Sequence, residues 1–142
     1  GSQTAQSNRN IIINGGQNVA QRGVSLTGLT SGDNFLTDRF KTVITNLGTW
    51  TITQESDAPD GFANSLKIDC TTADASPAAN DLVVIDHRIE AQDLQQLAYG
   101  TSGAKSITLS FYVKSNKTGT GSLNVFQCDN SFKVASPTYT IR

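Results

Sequence analysis

The sequence predicts an all-β fold, an antiparallel β-sandwich of jelly-roll type, from three observations. Short apolar stretches alternate with polar residues at the period of two that a half-buried strand requires. Residues that favour turns, above all Gly, Asn, Asp and Ser, separate these stretches at short intervals. The sequence lacks helical patterns long enough for βαβ units, so antiparallel sheets are the arrangement that buries the strands.

The length and composition predict one domain without affinity for nucleic acid or membranes. A chain of 142 residues suits a single hydrophobic core, which we place at residues 10–142 behind a flexible leader or tag remnant at 1–9. The formal net charge is −1 and neither sign is concentrated in one stretch, which argues against electrostatic binding of nucleic acid or anionic lipid. The longest apolar runs are much shorter than the roughly 20 residues of a membrane-spanning helix.

The first predicted elements are a short strand and a hairpin. Residues 10–13 form a β-branched run that ends in an Asn-Gly-Gly turn. Residues 40–45 and 49–53 are interpreted as the two arms of a hairpin, because the connection at 46–48 has three residues and carries Gly48 where a left-handed conformation is needed.

Two further strands and the only predicted helix follow. Alternation predicts strands at 65–70 and 81–90, and residues 91–98 favour a short helix that ends with Gly100 as its C-cap. In the first of these strands the side chains predicted to face the core are Leu66, Ile68 and Cys70.

The clearest alternation in the sequence lies at residues 106–114. The side chains predicted to be buried there are Ile107, Leu109, Phe111 and Val113. A loop is predicted at 115–121, followed by strands at 123–128 and 132–141. Because the sequence stops within the last of these strands, we expect the sandwich to be incomplete at its C-terminal edge, with further strands or a neighbouring chain covering that edge.

The two cysteines leave two interpretations open. Cys70 and Cys128 could form one disulfide, or each could be a free thiol that packs as a small apolar group. Neither interpretation determines the compartment in which the protein works.

The candidate catalytic residues favour a non-enzymatic protein. The carboxylates fall in predicted turns or on outward faces, where a catalytic pair across a cleft is not expected. His87 is the only histidine and shares an apolar face with Val83 and Ile85, which favours a hydrogen-bonded structural role. No cofactor is expected, although the oxygen-rich loop at 57–64 leaves a structural calcium ion as an alternative.

Residues 10–23, with the sequence N-I-I-I-N-G-G-Q-N-V-A-Q-R-G, resemble the opening motif of phage tail-fibre and virion-appendage proteins. The resemblance continues in order through segments at 37–40, 54–59, 65–67, 71–74, 88–95 and 104–120. This chain departs from the family pattern at Ala91, where Gly is usual, and at Tyr112, where Trp is common.

The resemblance implies a virion part with a carbohydrate-binding-module-like jelly roll, located on the virion outside the cell. The expected function is that of a non-enzymatic structural protein of a tail fibre, appendage or capsid decoration, in contact with other virion proteins and the host surface. A homotrimer is the expected assembly. The alternative is an independent carbohydrate-binding module that recognises cell-surface glycans.

Three aromatic residues are candidates for glycan binding, which needs exposed rings that stack on sugar C–H faces. Tyr112 is the first candidate, because alternation turns it away from the face of Phe111, and Tyr99 is the second. Trp50 is the third, since tryptophans serve as platforms in jelly rolls of the family. Its shared face with Ile52 favours a core position instead.

Overall fold

The computed structural model describes residues 10–128 and 132–142. Strands make up 42% of this structure and helix 5%, and every strand pair is antiparallel, which confirms the predicted all-β class. The chain divides into two compact units, Gly1–Ser106 and Ile107–Arg142, which we call the sheet unit and the hairpin unit. The expected flexible leader at 1–9 lies outside the described residues, and the assignment of 10–142 to one domain stays a prediction.

The sheet unit contains one four-stranded antiparallel sheet. Its strands are β1 (Ser25–Asn34), β2 (Phe40–Glu55), β3 (Ser65–Thr72) and β4 (Leu82–His87). The long strand β2 is central: β1 pairs with one edge of it, while β3 and β4 follow each other along the opposite edge. The strand β1 is not predicted from the sequence, because its apolar residues are sparse and interrupted by two glycines.

The predicted hairpin at 40–53 is wrong, because both arms belong to the single strand β2. Gly48 does adopt a left-handed conformation, with φ of 75°, and Asn46 does so too, with φ of 48°. These two residues form an irregularity at which the register with β1 shifts, so the chain bends and continues without reversing. A Cβ atom on Gly48 would collide with the carbonyl oxygen of Thr72, so this position also needs glycine for space.

The core of the sheet unit is small and centres on β2. Ile44, Ile52 and Leu36 are the buried apolar side chains among the described residues. Ile52 is fully buried and Trp50 is half-buried, as their predicted shared face requires. The strand predicted at 65–70 is confirmed as β3, but Cys70 near its end is exposed and not inward.

The segment after β3 agrees with the sequence in outline. The strand predicted at 81–90 is present as β4, and a 3-10 helix follows it at Ala91–Leu97. This helix ends at Ala98, which takes the left-handed conformation with φ of 51°, so the predicted Gly100 cap is wrong by two positions.

The hairpin unit contains four short strands, β5 (Gly119–Ser122), β6 (Val125–Gln127), β7 (Lys133–Ala135) and β8 (Thr138–Ile141). The β5–β8 and β6–β7 ladders share one register, and the N–H of Leu123 donates to the Pro137 carbonyl between them at 2.9 Å. The four strands therefore form the two arms of one long hairpin, which Pro137 interrupts because it lacks an N–H.

Two expectations for this unit need correction. The loop predicted at 115–121 ends early, because β5 begins at Gly119. The strand at 138–141 pairs with β5 on one edge, and the expected cover of its other edge by further strands or a neighbouring chain stays a prediction. The strand predicted at 106–114 is wrong, since these residues lie outside every strand and the four side chains expected to be buried are exposed. Alternation describes which side chains share a face, but a strand also needs a neighbouring backbone, which the local sequence does not encode.

Candidate functional site

The three aromatic residues proposed for glycan binding lie on different elements. Tyr112 is 75% exposed and belongs to the hairpin unit, whereas Tyr99 lies exposed in the turn after the 3-10 helix of the sheet unit. Trp50 is half-buried on β2, and its indole N–H donates to the carbonyl of Leu47 within the irregular part of that strand. The indole nitrogen of Trp50 therefore serves the local backbone, and the glycan role of all three residues stays a prediction.

A different site is formed at the end of the sheet unit, where β1, β2 and β4 meet the N-terminal loop. It is an open cleft of about 350 Å³, which lies at the lower end of the roughly 300–1,000 Å³ typical of small-molecule sites. The residues that line it are Gln21, Arg22, Asp33, Phe35, Leu36, Thr37, Asp38, Arg39, Lys41, Asp86 and Arg88.

The N-terminal loop that forms one wall of this cleft is held by Asn14. The Nδ2 group of Asn14 donates to the carbonyls of Val19, at 3.0 Å, and Asp38, at 2.9 Å, while its Oδ1 accepts from the N–H of Val19. Asn14 has a φ of 59°, a conformation that asparagine tolerates better than most residues. The predicted strand at 10–13 is wrong, because this region is a hydrogen-bonded loop built around Asn14.

A second set of hydrogen bonds joins the same loop to the sheet. Thr37 donates its hydroxyl to Oε1 of Gln17 at 2.6 Å in a buried position, and Nε2 of Gln54 donates to the carbonyl of Gln17 at 2.5 Å. The carboxylate of Asp38 accepts from the N–H of Gln21 at 3.1 Å. Buried polar groups that are satisfied in this way fix the loop, and with it the position of the residue that follows Gln21.

That residue is Arg22, whose guanidinium carbon lies 5.3 Å from the centroid of the Phe35 ring. This distance is within the range of a cation–π contact. Phe35 is 45% exposed and lies in the connection between β1 and β2. Among the described residues no carboxylate forms an ion pair with Arg22, so the cleft presents an apolar ring beside a cation.

The floor of the cleft carries a compensated charge. The Lys41 side chain is only 12% exposed, and its ammonium lies 3.1 Å from the Asp33 carboxylate and 3.4 Å from that of Asp86. Arg88 approaches the same Asp86 oxygen at 3.4 Å from the solvent side. Two carboxylates around one nearly buried ammonium compensate its charge.

Arg39 at the rim forms an ion pair with Glu90, with Nη1 and Oε1 separated by 2.7 Å. The hydrogen bond from Arg39, together with its charge, lowers the pKa of Glu90, and the hydrogen bond to Glu90 raises the pKa of Arg39. Both side chains are exposed, so the pair orients the rim and adds little to stability.

His87 takes the structural position that the sequence predicts. Its Nε2 lies 3.2 Å from the carbonyl of Ile13, and its ring packs at 4.7 Å from that of Phe40. The other ring nitrogen, Nδ1, is buried and makes no hydrogen bond with any described residue. His87 thus attaches the N-terminal loop to β4 and does not line the cleft.

Residues 10–128 and 132–142 contain neither a cluster of typical metal-ligand side chains nor a helix that could cross a membrane. No cluster of three or more His, Cys, Asp or Glu side chains that could hold a metal ion occurs there. In the loop at 57–64 the carbonyl of Asp57 accepts from the Ser65 hydroxyl at 2.7 Å, and a calcium ion at this loop stays a prediction. No helix within these ranges is long and apolar enough to cross a membrane.

The cleft could not be predicted from the sequence, because its residues come from distant parts of the chain. Arg22 lies within the motif at 10–23, but nothing in that motif indicates that Phe35 is its neighbour. The one available signal was Phe35 itself, an aromatic residue that follows a Gly-, Ser- and Asp-rich stretch and takes part in no apolar alternation.

Comparison with known proteins gave no match: no family model, no curated protein and no solved structure is similar to this chain at a significant level. Function is therefore inferred from the sequence and from the geometry described above.

Proposed function

We propose that this chain is a non-enzymatic structural protein of a phage virion, in a tail fibre, appendage or capsid decoration, where it binds other virion proteins and contacts the host surface. The observation that carries the proposal is the segment at 107–113 in the hairpin unit. It has the alternation of a strand, lies outside every strand of the structure, and exposes its apolar side chains.

The exposure of this segment favours a chain that is completed by assembly. Ile107, Leu109, Phe111 and Val113 are 43 to 49% exposed, although their alternation would place them on one face of a strand. Contiguous apolar surface with strand propensity is a hazard for a monomer, because it pairs readily with other chains. A partner that supplies a strand would bury the apolar face and add backbone hydrogen bonds of its own.

Three of the segments that carry the resemblance to tail-fibre and appendage proteins are joined by side-chain hydrogen bonds in the sheet unit. Asn14 and Gln17 lie in the first, Thr37 and Asp38 in the second, and Gln54 in the third. These segments form one physical unit of the chain, and the proposed family rests on the resemblance itself.

The finer fold that we propose is the jelly-roll sandwich, reached when the segment at 106–114 takes its place in a sheet. The expected assembly is a homotrimer on the virion, outside the cell. A trimer would cover three copies of the exposed apolar segment within one closed, symmetric particle.

Sedimentation velocity combined with multi-angle light scattering tests the assembly. We expect a species of three times the 15.1 kDa chain mass. Leu109→Glu should reduce it to the monomer, because the charge would be buried in the new contact. Thr108→Glu, one residue away and on the opposite face by alternation, is the matched control and should leave the mass unchanged. A monomer at every concentration, or an unchanged mass for Leu109→Glu, would contradict the proposal.

The second candidate function is an independent carbohydrate-binding module, which the exposure of Tyr112 and Tyr99 favours. Binding on a glycan array that is lost with Tyr112→Ala or Trp50→Ala would support this candidate. An array without any signal for the wild-type protein would favour the assembly role instead.

A further inference from the structure

We infer that the cleft between the N-terminal loop and the β1–β2 connection binds an acidic saccharide, with the sugar ring on Phe35 and its carboxylate on Arg22. The inference rests on the saccharide-recognition candidate and places that recognition at a site different from Tyr112, Tyr99 and Trp50.

The charge state of the cleft singles out Arg22 as the anion-binding group. Arg39 is engaged by Glu90, and Lys41 is held between two carboxylates. Arg22 forms no ion pair within the described part of the chain, and its guanidinium keeps its fork of N–H donors available for a carboxylate. The cleft therefore selects for an anion at the position of Arg22.

The apolar ring beside this cation decides which kind of anion fits. Phe35 is 45% exposed, and the Arg22 guanidinium carbon lies over its ring at 5.3 Å from the centroid. A pyranose can stack a C–H face on the part of the ring that Arg22 leaves exposed, and an inorganic anion cannot use this apolar surface. A uronic acid residue combines such a face with a carboxylate in one sugar.

The floor of the cleft supplies hydrogen-bond acceptors for hydroxyl groups. Asp33 and Asp86 share the Lys41 ammonium but retain further lone pairs, since a carboxylate accepts about four hydrogen bonds. Sugar hydroxyls are donors that match these oxygens, while a second carboxylate would be repelled by them. This arrangement favours a saccharide with isolated acidic residues over an acidic peptide with dense charge.

The test is calorimetric titration of the full chain with a glucuronate-containing oligosaccharide, its neutral glucose counterpart and a glutamate peptide. We expect binding of the acidic oligosaccharide only, weakened by added salt. Arg22→Ala and Phe35→Ala should each lower the affinity by at least about tenfold. The affinity of Arg22→Lys for the acidic oligosaccharide should lie between those of Arg22→Ala and the wild type, since a lysine keeps the charge and loses the planar guanidinium.

The matched controls are Lys105→Ala, which removes an exposed cation outside the cleft, and Phe126→Ala, which removes an exposed ring outside it. Both should bind like the wild type, and thermal melting verifies that every variant is folded.

The outcomes separate this inference from the broader candidate. Saccharide binding that survives Arg22→Ala and Phe35→Ala but is lost with Tyr112→Ala or Tyr99→Ala would overturn the inference and keep the carbohydrate-binding candidate. Absence of binding to either oligosaccharide would overturn the inference, and the glycan array then decides separately on the broader candidate. Equal binding of the glutamate peptide would overturn the assignment to a saccharide.

Discussion

The sheet unit and the hairpin unit are both antiparallel, but they differ in what holds them together. In the sheet unit the central strand β2 has partners on both edges and contributes two fully buried isoleucines, and side-chain hydrogen bonds attach the N-terminal loop. In the hairpin unit the strands pair on one edge, and Phe126, Val125 and Val134 are exposed. A two-stranded hairpin is marginally stable in water, so the assembly proposed above would supply the hairpin unit with contacts that the sheet unit already has within the chain.

The largest expected difference between the units comes from removing one apolar side chain in each. Ile52→Ala should lower the free energy of unfolding by about 4 kcal/mol, because Ile52 is fully buried and its loss leaves a cavity. Val134→Ala, in β7, should change it by less than about 0.5 kcal/mol, because Val134 is more than half exposed. Urea denaturation followed by far-UV circular dichroism, which reports on the strands of both units, measures both. Equal effects would remove the distinction between the units.

The irregular part of β2 provides the next largest effect. Gly48→Ala should lower the free energy of unfolding by about 3 kcal/mol, because the new Cβ would collide with the Thr72 carbonyl and residue 48 has a positive φ. Gly28→Ala is the control: it also has a positive φ, but its new Cβ would meet no atom within 4 Å, so about 1 kcal/mol is expected. If thermal denaturation gives the same loss for both variants, the close approach of β2 to the end of β3 is not the reason for glycine at position 48.

A smaller effect is expected where the N-terminal loop attaches to the sheet. Asn14→Ala removes three hydrogen bonds and should destabilise the protein by about 2 kcal/mol. Hydrogen exchange should accelerate at the Val19 amide, which donates to Asn14, while the amides of β3 remain protected. Asn10→Ala, which removes a single exposed bond to the N–H of Ile12, is the control. Unchanged exchange at Val19 would show that the loop is held by other contacts.

The smallest effect concerns the exposed pair of Arg39 and Glu90. Because the folded protein lowers the pKa of Glu90, the stabilisation from this carboxylate is present above its unfolded pKa and is lost as the pH falls through its folded pKa. The urea midpoints of the wild type and Glu90→Gln should therefore differ slightly at neutral pH and converge in acid. Asp60→Asn, outside any ion pair of the described residues, should show no such convergence. A difference that grows in acid would contradict this assignment.

The sequence predicted those elements whose partners lie close along the chain or whose pattern is locally complete. The strands predicted at 65–70 and 81–90 and the buried position of Ile52 follow from alternation alone. The hairpin predicted at 46–48 was wrong because a left-handed glycine is equally compatible with a tight turn and with an irregularity inside one strand. The structure has the irregularity, because β1 pairs with β2 on both sides of residues 46–48.

The candidate site was harder to predict than the fold. Its two central residues, Arg22 and Phe35, are brought together by Asn14, Gln17 and Asp38, whose hydrogen bonds span up to 37 positions in the chain. Alternation reports which side chains share a face, whereas a cleft built from loops depends on such long-range polar contacts. The strand predicted at 106–114 was wrong for a related reason. The sequence of this segment has the alternation of a strand, but it does not show which strand would pair with it.

Hydrogen exchange measured by mass spectrometry in the dilute and the concentrated protein tests most directly whether the hairpin unit is completed by another chain. We expect the amides of residues 107–142 to exchange rapidly in the dilute sample and to become protected on assembly, while those of β2 stay protected in both samples. Protection of residues 107–142 in the dilute monomer that equals the protection of β2 would contradict the account.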